Sequence, residues 1–154
     1  MYNHQYQLEH IFSFGVTLNA PEVIGPVAEG IRVNFTSQGG ELIGPKLQGR
    51  ARPVGGDWLT VRSDGVAILD VRTTLESHDG AIIAINYSGV GDLGPDGYTR
   101  FLEGNLPATL KLQVVPRCQT SHPGYIWLNR LQCLSIGKVD FQSLYVSYDV
   151  YAVM

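Results

Sequence analysis

The residues whose types and spacing best fit chemistry lie in one short stretch. Asp70, Arg72 and Thr74 are two positions apart, so their side chains share one face of a strand. If the apolar residues between them pack outward on a partner, Asp70 and Arg72 project into an interior. A carboxylate beside a guanidinium in a low-dielectric cavity binds a phenolate, an enolate or a carboxylate. We therefore expect Asp70 and Arg72 to be catalytic, with a buried structural ion pair or a solvated face as the alternative.

A second candidate follows two glycines, where Asp57 and Trp58 begin a predicted strand. In a cavity, Trp58 forms an aromatic wall and Asp57 acts as a hydrogen-bonding or basic group. Alternatively, Asp57 accepts N–H bonds of the turn and Trp58 fills a barrel end. Arg72 keeps its proton at ordinary pH. It can therefore stabilise negative charge, and Asp57, Asp70 or a tyrosine must carry the proton.

Three further residues form a predicted ligand wall. Tyr125, Trp127 and Asn129 alternate along the chain, so in a strand they share one face. Two aromatic rings and an amide suit a substrate-binding surface, and they suit a barrel core equally well.

Two more substrate-binding candidates lie on other predicted strands. Asn86 and Tyr87 are adjacent and point to opposite faces of a strand, so at most one of them faces a pocket. We favour Asn86, because a buried amide must find a hydrogen-bond partner. Arg117 lies near a strand end, where it reaches a barrel mouth or remains in solvent.

The sequence contains no motif that fixes a reaction or a cofactor. There is no phosphate-binding glycine loop, nucleophile elbow or zinc-binding helix pattern. The histidines are dispersed, at His4, His10, His78 and His122. We predict no metal and no cofactor. Cys118 and Cys133 lie in strand-like sequence without ligand spacing, which favours two free buried thiols over a disulfide.

The composition of the chain indicates which classes of binding partner to expect. The chain has 154 residues, the size of one domain, here 1–154, and a net charge of -3. That charge argues against a nucleic-acid or anionic-membrane partner and leaves a small molecule. Without a signal peptide or an apolar run of ~20 residues, a cytoplasmic location is expected. Charged residues make up 16%, against about 25% in soluble domains, which indicates a lined cavity or a subunit contact. We expect a homodimer.

The elements that must position these residues are short strands. Eighteen glycines are spread between β-branched and aromatic stretches, a spacing typical of many strands joined by tight turns. Hairpin turns are predicted at 63–65 and 78–80. One short helix is predicted near 95–104, with Tyr98, Phe101 and Leu102 on one face. The predicted strands are 6–19, 30–37, 40–50, 57–62, 66–77, 80–90, 108–119, 127–136 and 141–153.

Two of these strands carry apolar side chains on both faces, at 82–87 and 145–151. Both faces therefore meet non-aqueous surroundings, as they do when a barrel encloses a filled or ligand-holding interior and packs outside on a partner. The sequence predicts an all-β protein, a closed antiparallel barrel of about eight to nine strands.

Short motifs along nearly the whole chain resemble a family known as domain of unknown function 3237, also described as UPF0311. The Gly-Gly and Gly-Pro pairs within 39–49 and the Asp-Trp turn at 55–58 are similar to its pattern. Further matching stretches follow in the family's order, at 62–65, 70–72, 79–81, 125–129 and 148–153. Cys118 departs from the pattern, since many members are aromatic there, and this puts a shared substrate in doubt.

The resemblance implies a closed barrel akin to allene oxide cyclase and lipocalin-like barrels. Some fungal members act as cyclases or isomerases on aromatic polyketides, which implies a cofactor-independent isomerase or cyclase for a small conjugated, phenolic or polyketide-like metabolite. The alternative is a non-catalytic carrier of a small apolar ligand. A third possibility is an assembly module whose barrel is filled by side chains.

Overall fold

The computed structural model describes residues 1–154 and is nearly all β. It contains eleven strands, one α-helix and one 3₁₀ helix. The helices are α1 (Gly97–Leu102) and the 3₁₀ helix (Ile126–Arg130). The strands are β1 (Leu8–Leu18), β2 (Glu22–Val27), β3 (Gly30–Ile43), β4 (Gly49–Ala51), β5 (Gly56–Val61), β6 (Val66–Ser77), β7 (Ile82–Asp92), β8 (Thr109–Val114), β9 (Arg117–Gln119), β10 (Cys133–Asp140) and β11 (Tyr145–Val153).

The strands close into an antiparallel barrel, as predicted. Around the barrel the order is β6, β5, β3, β1, β11, β10, β8 and β7, and pairing between β7 and β6 closes the circle. Three short strands extend this frame: β2 and β4 pair with β3, and β9 pairs with β7. Closure pairs the strand edges that an open sheet would leave exposed.

Alternation along each strand decides which side chains fill the barrel. In β6, the buried positions Ala67, Leu69, Val71, Thr73 and Leu75 alternate with more exposed ones. The inward side chains of the other strands join them in one hydrophobic cluster. Because burial of apolar surface is the main favourable term in folding, the predominantly apolar face of each strand turns inward.

The predicted hairpin turns are present. The N–H of Gly65 donates to the carbonyl of Arg62 at 3.0 Å, and that of Gly80 donates to the carbonyl of Ser77 at 2.9 Å. Gly65 and Gly80 have φ angles of +88° and +91°, a region that glycine adopts without steric cost.

Several predicted strand limits are wrong. Strand β2 was not expected, and the predicted strands 30–37 and 40–50 are one long strand, β3, followed by the short β4. The predicted strand 108–119 is interrupted before Pro116, which lacks a backbone N–H and so cannot donate to a ladder. Residues 127–130 belong to a 3₁₀ helix, and β10 starts at Cys133.

The predicted helix is present as α1. Tyr98 and Phe101 pack against the core cluster, whereas Leu102 is 50% exposed, so only two of the three expected side chains face inward. No helix of the chain has the length and apolar character needed to cross a membrane. Cys118 and Cys133 are both buried and free, as predicted.

Candidate functional site

The barrel contains a pocket lined mainly by apolar side chains. About 730 Å³ in and around it is free of protein atoms, open solvent at its mouth included. Sixteen of its twenty lining residues are hydrophobic, and the others are Ser37, Gly56, Asp57 and Thr73. No arginine, lysine or histidine lines it. Such a pocket is concave, apolar and equipped with few polar groups, which is the usual form of a small-molecule site.

The pocket reaches the end of the barrel at which β1, β7 and β10 finish. Leu18 closes β1, while Leu93 and Phe141 directly follow β7 and β10, and all three line the pocket. Helix α1 lies at this same end and contributes Phe101 to the lining. The predicted short helix at one end of the barrel therefore forms part of the pocket wall.

The carboxyl group of Asp57 is hydrogen-bonded to the neighbouring strand of the barrel wall. Strands β5 and β6 pair at Asp57–Val71 and again at Thr60–Ile68, with no paired positions between them. There the backbone N–H of Asp70 donates to Oδ1 of Asp57 at 2.9 Å. A side-chain oxygen thus takes the place of a ladder carbonyl, which holds the carboxyl in position.

The environment of Asp57 changes its acidity. Burial among apolar neighbours raises its pKa from 3.8 to about 7. The hydrogen bond from the Asp70 N–H opposes this effect, and the nearby Asp70 carboxylate adds to it. Desolvation disfavours the charged form, so both forms of the carboxyl are populated near neutral pH. A general acid or base works best with such a pKa.

Two buried tyrosines bring their phenol groups to the same pocket. Tyr87 lies on β7, where it pairs with Val71, which in turn pairs with Asp57 on β5. Tyr148 lies on β11, and its ring centroid is 5.0 Å from that of Tyr87 in an edge-on arrangement. Phe14 stacks on Tyr148 at 5.2 Å. The three rings form one cluster beside Asp57, with geometry typical of favourable aromatic pairs.

Both phenol groups are held in their neutral form. Burial raises the pKa of Tyr87 well above 10.0, and the adjacent Tyr148 and Asp57 raise it further. Burial likewise raises the pKa of Tyr148, which interaction with Tyr87 partly offsets. A neutral phenol can donate a hydrogen bond. The tyrosines therefore supply donors and Asp57 supplies the titrating group.

Tyr148 owes its position to a glycine on the neighbouring strand. Gly137 pairs with Tyr148, and a Cβ at Gly137 would lie only 2.6 Å from Cε1 of the Tyr148 ring and closer still to Cδ1. The ring therefore rests directly on the backbone of β10, in space that only glycine leaves open.

Two of the three predicted catalytic residues lie on the wrong side of the wall. Asp70 and Arg72 are exposed on the outer face of β6, whereas Leu69 and Val71 line the pocket. The expectation that the apolar face would turn outward was wrong, because burial of aliphatic side chains favours the interior. Asp57 is the predicted catalytic residue that faces the pocket.

The predicted substrate-binding residues on strands also face outward. Asn86 and Arg117 are exposed and oppose one another across β7 and β9. The choice of Asn86 over Tyr87 was therefore wrong. Trp58 is 38% exposed and lies on the outer face of β5, not in a cavity wall.

The predicted aromatic and amide wall is a loop structure. Asn129 caps the backbone of Thr120 through both its amide atoms, at 2.8 Å each. Trp127 donates its indole N–H to the carbonyl of Gly124, and Tyr125 donates its hydroxyl to Asp79. None of the three lines the pocket, because the 3₁₀ helix abolishes the alternation on which their common face depended.

Sequence reasoning missed Tyr87 and Tyr148 as pocket residues, although a signal was present. On β11, Tyr148 alternates with Val146, Val150 and Ala152, all apolar and all buried. The residues between them are more polar. The more uniformly apolar face of β11 includes Tyr148, and this pattern predicts that Tyr148 points into the barrel.

No group of three or more His, Cys, Asp or Glu side chains is placed to hold a metal ion. Asp57 is the acidic residue among those lining the pocket, and its remaining neighbours there are hydroxyl, aliphatic and aromatic groups. What the site can offer is a proton acceptor or donor, phenol hydrogen-bond donors and an apolar surface.

Sequence comparison matches residues 6–153 to the family described as protein of unknown function DUF3237. The chain belongs to the DUF3237 family. A UPF0311 protein of Rhodopseudomonas palustris (strain TIE-1) is 30% identical over 152 residues, which cover 96% of this chain and 97% of that protein. The family resemblance seen in the sequence is thereby confirmed.

Solved structures share the barrel of this DUF3237 protein. A β-barrel-like protein from Acinetobacter baumannii AYE is 31% identical, with a TM-score of 0.80 over 100% of each chain. An enzyme from Penicillium herquei is 19% identical, with a TM-score of 0.69 over 100% of this chain and 98% of its own. At that identity the second likeness concerns the fold alone. This DUF3237 chain thus shares its barrel fold with a β-barrel-like protein and with a protein described as an enzyme.

Proposed function

We propose that this protein is a cofactor-independent isomerase or cyclase that acts on a small conjugated molecule inside the barrel. The observation that carries the proposal is Asp57, a carboxyl with a pKa of about 7 beside two buried phenol groups in a pocket without basic residues. Residues in clefts whose pKa values are strongly shifted belong to functional sites more often than other ionisable residues do.

The reaction we propose is an internal proton transfer. The Asp57 carboxylate removes a proton from a carbon or hydroxyl of the substrate, and the electron pair moves through the conjugated system to a carbonyl oxygen. The hydroxyl of Tyr148 or Tyr87 donates a hydrogen bond to that oxygen and stabilises its charge. Neutral Asp57 then returns the proton to another atom of the same molecule, so protons and electrons balance without a second reactant.

The pocket supports this chemistry by its shape. Apolar walls exclude water, which strengthens the interaction between the phenol donors and a developing oxyanion. Enclosure also selects one conformer of a flexible substrate, which favours ring closure. The Penicillium herquei enzyme lends support at the level of the fold only.

A proton-exchange assay tests the proposal without knowledge of the natural substrate. Conjugated ketones such as 1-tetralone and 4-chromanone are first checked for binding by NMR and then incubated with the protein in deuterium oxide. We expect deuterium to enter the carbon next to the carbonyl faster than in buffer. The rate should rise with pH through about 7 and level off, because the base is the Asp57 carboxylate.

Two variants locate the reacting group. Asp57→Asn should abolish the acceleration while keeping an oxygen for the Asp70 N–H. Asp70→Asn is the matched control on the outer face: it should keep the acceleration, with the midpoint of the pH profile at slightly lower pH, because the Asp70 carboxylate adds to the raised pKa of Asp57. If ketones bind without accelerated exchange, or if Asp57→Asn exchanges like the wild type, the catalytic proposal is wrong.

The second candidate is a non-catalytic binding protein for a small apolar ligand. The observation in its favour is the lining itself, hydrophobic at sixteen of twenty positions. Binding of the ketones without exchange would establish it.

A further inference from the structure

We infer that the pocket takes uncharged ligands with a carbonyl oxygen at one end of a flat apolar body, and that it rejects carboxylates and phosphates of the same shape. The inference rests on the proposed function only in placing the polar end of the ligand at Asp57. It assigns a ligand class that the reaction type leaves open, since proton transfer also occurs on charged substrates.

The first argument is the distribution of charge across the wall. Asp57 is the charged side chain of the lining, and no cation accompanies it. The basic residues nearest to it in the register, Arg72 on β6 and Arg32 on β3, are on the outer face, where Arg32 donates to Thr60 at 2.8 Å. An anionic ligand in the pocket would therefore lie beside a second carboxylate with no counter-ion, and burial of an unpaired charge is costly.

The second argument is the hydrogen-bonding capacity at the polar end. Thr73 donates its hydroxyl to the carbonyl of Val54 at 2.9 Å, so that proton is already used. Ser37 accepts the N–H of Gly39. Its own hydroxyl proton stays free. The hydroxyl of Tyr87 is hydrogen-bonded to that of Tyr148, so the hydroxyls of Tyr148 and Ser37 are the donors that remain in the lining. Donors of this kind suit a carbonyl oxygen, which accepts and carries no formal charge.

The third argument is the shape of the apolar walls. Five aromatic side chains line the pocket, and Phe14 stacks behind one of them, Tyr148. The five are Phe35, Tyr87, Phe101, Phe141 and Tyr148. Aromatic rings pair favourably with other flat rings in stacked or edge-on geometry. The walls therefore favour a conjugated ring system over a branched aliphatic chain.

Three ionisable groups face this space, and of these only Asp57 titrates near neutral pH. Asp57 faces it from β5, Tyr87 from β7 and Tyr148 from β11. The carboxyl of Asp70 is on the outer face of β6. Between pH 6 and 8 only Asp57 changes charge among the three lining groups. A neutral ketone held by the phenols should bind almost equally across this range.

Charged ligands should respond to Asp57 in opposite ways. A carboxylate is repelled once Asp57 ionises, so its affinity should fall by up to about tenfold from pH 6 to pH 8. An ammonium ion should gain affinity over the same range. The pH response thus reports the charge that the pocket prefers.

The experiment is a calorimetric titration of the full chain with three probes of similar size: 2-acetonaphthone, 2-naphthoate and 2-naphthylmethylammonium. We expect the ketone to bind at least about tenfold tighter than naphthoate at pH 8 and to change less than about twofold from pH 6 to 8. Naphthoate binding as tightly as the ketone at pH 8 would overturn the inference. So would an ammonium probe that binds tighter than the ketone.

Asp57→Asn supplies the internal check. Asparagine cannot ionise, so the pH response of naphthoate and of the ammonium probe should disappear while ketone binding is retained. Asp70→Asn should keep a pH response of similar size, with its midpoint at slightly lower pH, because the Asp70 carboxylate adds to the raised pKa of Asp57. Failure here is distinguishable from failure of the proposed function: the ligand order is read from binding alone, and the reaction is read from deuterium exchange alone.

Discussion

Asp57 and Asp70 lie on neighbouring strands and are joined by a hydrogen bond, yet they lie on opposite sides of the barrel wall. Asp57 faces apolar side chains and has a pKa raised to about 7, whereas Asp70 is exposed to solvent. The two residues are chemically identical. Their difference shows that the acid–base character of the site comes from the face of the sheet and not from the residue type.

The same contrast extends to both faces of β6. The inner face, with Leu69, Val71 and Leu75, is aliphatic, and the outer face carries Asp70 and Arg72. A charged pair on a strand is therefore no sign of a site by itself. A single carboxyl such as Asp57, which the fold half-buries against apolar groups, is a stronger indication.

The largest effect is expected on the free energy of unfolding when Asp57 is replaced by a neutral residue, which removes its difference from Asp70. Its pKa is higher in the folded chain than the ordinary 3.8, so the wild type loses stability as pH rises from about 4 to about 7. Asp57→Asn removes that loss. The variant should be more stable than the wild type at pH 8 by up to about 4 kcal/mol, with little difference near pH 3. Urea denaturation at both pH values measures this.

The outer aspartate supplies the comparison. Asp70→Asn should show at most a small gain at pH 8, since its carboxyl is already in solvent and only its repulsion with the Asp57 carboxylate is removed. Equal stability of the wild type and Asp57→Asn at pH 8 would mean that burial does not penalise the Asp57 carboxylate.

A smaller effect is expected where the inner face depends on close packing. Gly137→Ala should displace the Tyr148 ring and destabilise the chain by about 1–3 kcal/mol, as overpacking usually does. It should also weaken ketone binding. Gly124→Ala is the control, because Gly124 is exposed in a loop and its nearest contact is the half-buried side chain of His122 at 3.2 Å. Chemical denaturation and calorimetry report the two consequences, and an unchanged Tyr148 environment in NMR spectra would count against the packing argument.

The smallest effect is expected on the outer face. Arg72→Ala should change the free energy of unfolding by no more than about 0.5 kcal/mol and leave deuterium exchange into 1-tetralone unaltered. Arg72 is exposed, makes no salt bridge and does not line the pocket. A loss of exchange in this variant would restore the outer charged pair as part of the site.

Much of the fold could be predicted because barrel-forming signals are local. The Asp-Gly turns, the alternation in β6 and the glycine after α1 each have a direct structural reason. The long strand β3 and the 3₁₀ helix could not be predicted, since both depend on pairing and packing between distant segments.

The expected homodimer stays a prediction. Exposed Ile82 on β7 and exposed Leu134 and Ile136 on β10 lend it support.

The site was predicted only in part. Asp57 was identified from its position after two glycines, which mark the start of β5. We expected Asp70, Arg72 and Asn86 in the interior because charged and amide groups can take part in catalysis or binding. Their apolar neighbours fit the interior better. Sequence alone also did not show that a carboxyl and two phenols from three strands meet, because that depends on barrel closure.

The hydrogen bond from the Asp70 amide to the Asp57 carboxyl makes the wall itself responsive to the proton. A carboxylate accepts a hydrogen bond more strongly than a neutral acid. Deprotonation of Asp57 therefore strengthens the hydrogen bond between β5 and β6, and protonation weakens it. The strength of that hydrogen bond and the charge of the pocket are then linked. The exchange rate of a single backbone amide, that of Asp70, becomes a natural reporter of what occupies the barrel.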